Sequence, residues 1–92
     1  MGNDDANVAG GDVFHRLQHV LAFVLDIDAG TAEPGTRLVD LPDWSSLTFA
    51  VLLVGIQKRF GLTLEPKQAI SARTAGGLAR LIEDRLSRSG RA

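Results

Sequence analysis

Leu41-Pro42-Asp43-Trp44-Ser45-Ser46-Leu47 is the stretch where a loop rich in turn residues gives way to a long apolar run. Pro42 and Asp43 are residues of a helix approach. From Leu47 to Phe60 there is no proline, and apolar residues recur at intervals of three and four, so a helix starts here. Ser45 is its natural N-cap, the side-chain oxygen accepting from a backbone N–H two or three residues on. Ser46 then takes the first helical position with its hydroxyl facing outward. It lies among unpaired backbone N–H groups at the positive end of the helix dipole, where a phosphate joined to it would be stabilised.

Read forward, this helix carries two apolar faces. Phe49, Leu52, Leu53, Ile56 and Phe60 form one stripe and are expected in the core. Leu47, Ala50, Val51 and Val54 lie on another face that a small domain does not bury on both sides. The helix contains no acid, ends Gln57-Lys58-Arg59 and is capped by Gly61. Gly55 costs it about 1 kcal/mol relative to alanine, so either a neighbour packs closely there, which is the expectation, or room is left for something such as an acyl chain. Beyond the connector Leu62 to Glu65, Pro66 opens a short third helix over Lys67 to Ile70, and Ser71-Ala72-Arg73 turns the chain. Thr74 caps a fourth helix with Ala75, Leu78, Leu81 and Ile82 inward and Glu83, Asp84 and Arg85 outside; Gly76-Gly77 weakens its start.

Read backward, Ile27 to Asp43 holds Gly30, Pro34, Gly35 and Pro42 and forms a long ordered loop, pinned by Leu38, Val39 and Leu41. A first helix is expected from Asp12, as N-cap, to about Asp26. Its stripe is Val13, Phe14, Leu17, Val20, Leu21, Val24 and Leu25. His15 and His19 stand one turn apart on it with Asp12 nearby. A divalent cation needs a further ligand that the pattern does not supply, so a solvated helix face is expected and no metal. Residues 1–11 are polar and expected as a disordered tail, 12–86 as the folded domain, and 87–92 as a fraying C-terminal tail. The opening methionine and polar tail fit a free-standing protein.

The 92 residues make one domain with a net charge of −1, which disfavours a nucleic-acid partner. No cysteine is present, excluding disulfides and cysteine-based metal or nucleophile chemistry and fitting a cytoplasmic location. No apolar run is long enough to span a membrane. Charge is unevenly placed: eight of the eleven acids lie at or before Asp43, and eight of the ten bases after it.

Leu38-Val39-Asp40-Leu41, Trp44-Ser45-Ser46-Leu47 and Phe60-Gly61 together resemble the acyl and peptidyl carrier proteins, whose hallmark is Asp-Ser-Leu at the start of the second helix. The likeness covers about residues 12 to 86, with Ser45 standing where the family usually has aspartate. It implies an all-α four-helix bundle of acyl-carrier type, with a long first loop and a short third helix. It also implies a monomeric, non-catalytic carrier whose Ser46 bears 4'-phosphopantetheine taken covalently from coenzyme A by a phosphopantetheinyl transferase. The arm's thiol would hold an acyl or aminoacyl group as a thioester and pass it among acyl-loading and acyl-transfer or condensing enzymes. A dedicated polyketide or non-ribosomal peptide pathway is expected. Trp44, Leu47, Ala50, Val51, Val54 and Lys58 are the expected partner surface, apolar and basic where many carriers are acidic.

Two other classes compete. A hydrolase with Ser46 as nucleophile needs a base, but the histidines are on the first helix and no Gly-x-Ser-x-Gly surrounds the serine. An unmodified, carrier-like interaction module fits the Ser45 departure and the leftover apolar face. A mass gain with coenzyme A and a transferase separates it from a carrier.

Overall fold

Val13, Leu17, Leu21 and Leu25 recur every four residues, and this spacing builds the central wall of the fold: all four are buried along one face of a single helix. The computed structural model describes the backbone of residues 2–89 and the side chains of residues 12–88. Among the described residues there are four α-helices: α1 (Gly2–Leu25), α2 (Ser46–Phe60), α3 (Pro66–Ala72) and α4 (Ala75–Ser89). Short 3-10 turns at Ala29–Thr31 and Leu38–Asp40 interrupt the long loop between α1 and α2. The described residues contain no strand, and the expected all-α bundle with a long first loop and short third helix is the observed fold.

α1 packs against both α2 and α4, and α3 packs on α4. α2 contributes Leu52 and Ile56 to the core, α4 contributes Ala75, Leu78, Ala79 and Ile82, and α3 contributes Ala69. Phe49, Leu53 and Phe60 border the core half-buried. Every buried residue among those described is apolar, and no buried side-chain nitrogen or oxygen there lacks a partner. Arg85 ties α4 to its neighbours, Nη1 donating to Gln68 Oε1 at 3.0 Å and Nη2 to the Thr63 carbonyl at 3.3 Å.

The long loop is fixed at several points. Gln18 Nε2 donates to the Ala32 carbonyl at 2.7 Å, over a fully buried Ala32. Leu38 N–H donates to the Arg73 carbonyl, Ala75 N–H to Thr36 and Gly76 N–H to Pro34, at 2.9, 2.9 and 2.8 Å. At Gly76 a Cβ would sit 2.8 Å from that Pro34 oxygen, so the glycine is what lets loop and helix approach.

Several boundaries differ from the sequence expectation. Asp12 is not an N-cap: helical backbone reaches upstream to Gly2, and the Asp12 carboxylate instead meets Arg16 Nε at 3.1 Å, one turn along. No proline among the preceding residues removes a backbone donor, so helical hydrogen bonding is not blocked where the apolar pattern has stopped. The expected tail over residues 1–11 falls outside the described residues for Met1 and for the side chains. α3 runs from Pro66 to Ala72, longer than Lys67 to Ile70, and α4 continues through Ser89, while residues 90–92 lie outside the described residues. Val39 does not pin the loop. It is 61% exposed between buried Leu38 and Leu41, because a single 3-10 turn directs consecutive side chains apart.

Candidate functional site

Ser45 and Ser46 are adjacent hydroxyls with different surroundings. Ser45 has extended backbone, and its Oγ accepts from Thr48 N–H at 3.1 Å while Thr48 Oγ1 accepts from Ser45 N–H at 2.8 Å, a reciprocal capping box. Thr48 Oγ1 also lies 2.9 Å from the Asp43 carbonyl, tying the cap to a loop residue in the left-handed region, φ 63. The threonine therefore does locally what a glutamate or glutamine does in the usual box. Ser46, at the first position of α2, is exposed as Ser45 is, but among the described residues its hydroxyl has no hydrogen-bond partner. Ser45 holds the helix end, and Ser46 is left with an accessible oxygen.

Ser45 and Ser46 both line a groove of about 580 Å³, whose other walls include Trp44, Phe49, Val39, Ile70, Arg37 and Arg73. The Trp44 and Phe49 rings pack with centroids 5.5 Å apart. Val39 and Ile70 are each 61% exposed, an apolar surface that the core does not use. Arg37 Nε meets Asp40 Oδ2 at 3.2 Å. Arg73 occupies the centre of a tight turn with φ 66 and ψ −47, closed by Thr74 N–H donating to the Ala72 carbonyl at 2.7 Å. Such a γ-turn is rare and strained for a residue with a Cβ, costing on the order of 1–3 kcal/mol.

A second groove, of about 550 Å³, runs between α1 and α2. Its lining includes His19, Phe23, Val51, Val54 and Lys58. Gly55 forms part of its floor, and a Cβ there would lie 3.0 Å from Val20 Cγ1, the close helix contact anticipated from the sequence.

The expected partner surface is thus divided. Trp44 lies at the first groove with Ser46, Val51, Val54 and Lys58 line the second, and Leu47 and Ala50 are exposed but line neither. Leu47, Val51 and Val54 are exposed to 74%, 45% and 50%, so this face of α2 is surface. Sequence reasoning missed Phe23, 89% exposed, whose only signal was that it fell off the α1 stripe. It also missed Arg37, Val39, Ile70 and Arg73, which the fold brings together from two distant segments. His15 and His19 face each other at 3.3 Å on exposed α1, Asp12 is engaged with Arg16, and no group of three metal-ligating side chains occurs among the described residues. Neither histidine lines the groove at Ser46. No described helix is long and apolar enough to cross a membrane.

Comparison with known proteins yields one family model, described as the phosphopantetheine attachment site, which matches residues 15–82. Among curated relatives, the acyl carrier protein MbtL of Mycolicibacterium paratuberculosis is 38% identical over 63 residues, covering 68% of this chain and 71% of that protein. The acyl carrier protein MbtL of Mycobacterium tuberculosis is 36% identical over 62 residues, covering 67% and 74%.

Proposed function

This chain belongs to the phosphopantetheine-attachment family, a carrier whose cofactor is covalent 4'-phosphopantetheine, and from that premise we propose Ser46 as the attachment residue. Both serines are exposed, and the observation that carries the choice is their different engagement: Ser45 Oγ is held in the capping box, whereas Ser46 Oγ has no hydrogen-bond partner among the described residues. The Ser46 oxygen attacks the β-phosphorus of coenzyme A, the bond to the nucleotide's bridging oxygen breaks, and 3',5'-ADP leaves. The serine proton passes to a base of the transferase. The product is a phosphodiester at the N-terminus of α2, where the helix dipole favours negative charge. The helix start presents the hydroxyl and the transferase supplies the chemistry.

The thiol of the arm carries an acyl or aminoacyl thioester among loading, transfer and condensing enzymes of a secondary-metabolite pathway of polyketide or non-ribosomal peptide type. The acyl-carrier names of the relatives support this reading. The carrier acts as a cytoplasmic monomer, docking through the exposed face of α2 at Leu47, Ala50, Val51 and Val54, with Lys58 at its end and Trp44 beside the serine. Incubation with coenzyme A and a broad-specificity phosphopantetheinyl transferase, followed by intact-mass spectrometry, tests the assignment. One phosphopantetheinyl group is gained by the native chain and by Ser45→Ala, and none by Ser46→Ala. Loss in Ser45→Ala with retention in Ser46→Ala would overturn the choice of serine, and no gain in any form would favour an unmodified interaction module.

A further inference from the structure

Arg37 and Arg73 come from opposite sides of the loop-to-α4 junction, and the backbone pairing there holds both beside the groove that Ser46 opens onto. Arg37 pairs with Thr74 in an isolated bridge, and Leu38 N–H donates to the Arg73 carbonyl at 2.9 Å. No acidic side chain lines the groove. Asp40 meets Arg37 through Nε, which leaves its two terminal amino groups free to face a second anion. The Arg73 side chain has no hydrogen-bond or salt-bridge partner among the described residues, and its backbone is held in a strained turn that glycine would adopt more readily. Arg37, Arg73 and the exposed Ser46 therefore line one cavity, with Val39 and Ile70 among its other walls.

We propose that Arg37 and Arg73 clamp the phosphodiester of the arm on Ser46, directing the arm along the groove instead of out into solvent. This rests on Ser46 being the attachment residue. Guanidinium groups match phosphate oxygens in paired, charge-assisted hydrogen bonds, and the phosphodiester is the anion that attachment fixes next to them. The clamp positions the arm and takes no part in bond making.

The test uses the phosphopantetheinylated full chain, its single mass gain verified first, as native protein and as Arg37→Gln, Arg73→Gln and the double variant. Arg80→Gln, outside the groove, is the control. Side-chain NMR signals of Arg37 and Arg73 are expected to shift between the unmodified and modified native protein. The phosphorus resonance of the modified native protein is expected to relax at the rate of the whole domain. In the double variant that relaxation falls toward the value of a freely moving arm, while Arg80→Gln leaves it unchanged. Arginine signals that do not respond to modification, or a phosphorus relaxation equal in native and double-variant proteins, would overturn the clamp with the attachment intact. Arginine shifts that appear only after the thiol is loaded with malonate would assign the pair to a cargo carboxylate and overturn the phosphodiester assignment. A missing mass gain, or one that survives Ser46→Ala, overturns the attachment residue and the clamp with it.

Discussion

Exchanging each of the two serines for alanine separates holding the helix from carrying the arm. Ser45→Ala deletes the oxygen that accepts from Thr48 N–H at 3.1 Å and so opens the capping box. Loss of a serine N-cap costs about 1 kcal/mol, within a range of roughly 0.5–2. For a domain of this size 1 kcal/mol corresponds to a fall in Tm of about 4–8 °C. Thr48 Oγ1 still accepts from Ser45 N–H and reaches the Asp43 carbonyl, which keeps the loss near the middle of that range. Ser46→Ala removes a hydroxyl with no partner among the described residues, and alanine favours a helix by a few tenths of a kcal/mol over serine, so Tm stays level or rises slightly. Thermal unfolding followed by circular dichroism at 222 nm, on unmodified protein, reads both. A larger fall in Ser46→Ala than in Ser45→Ala would refute the division of roles, because Ser46 would then be the residue the fold relies on.

Three further outcomes follow from the packing. Leu52→Ala, at a position 1% exposed, is expected to cost about 2–5 kcal/mol in urea unfolding, while Leu47→Ala, at 74% exposed, stays within about 0.5 kcal/mol. Gly76→Ala gains about 1 kcal/mol of helix propensity but forces a Cβ against the Pro34 carbonyl oxygen, and a net loss of about 1–2 kcal/mol is expected by the same assay. Val51 and Val54 are about half exposed, so covering either by a partner contributes about 1 kcal/mol, and an aspartate there also places a carboxylate in the contact. Val51→Asp or Val54→Asp is therefore expected to weaken calorimetric binding to a cognate enzyme more than Lys58→Ala, since an exposed ion pair formed with a partner contributes about 0–1 kcal/mol. Binding that collapses with salt and suffers most from Lys58→Ala would reverse that order.

What could be read in advance follows the physics of each segment. The cores of α1, α2 and α4 were legible because burial imposes a helical period on Leu17, Leu21, Leu52, Ile56, Leu78 and Ile82. The cap at Ser45 was legible because its chemistry is local, and so was the close contact at Gly55. The upstream start of α1 was not, since helical backbone needs only the absence of a breaker, and an early aspartate resembles a cap whether or not it is one. Loop residues obey no period, so Val39 was misplaced beside Leu38. Gly76 read as a weak spot in a helix, because its purpose is a contact with Pro34 that only the tertiary fold creates. Arg37 and Arg73 were invisible as a pair for the same reason.

The most direct test of Ser46 as the attachment residue is fragmentation of the modified native chain. Trypsin cutting after Arg37 and Lys58 releases a peptide containing Ser45, Ser46 and Thr48. Electron-transfer fragmentation of that peptide is expected to place the whole phosphopantetheine mass on Ser46, with Ser45 and Thr48 unmodified. Phosphopantetheine found on Ser45, or on a peptide elsewhere in the chain, would contradict the assignment.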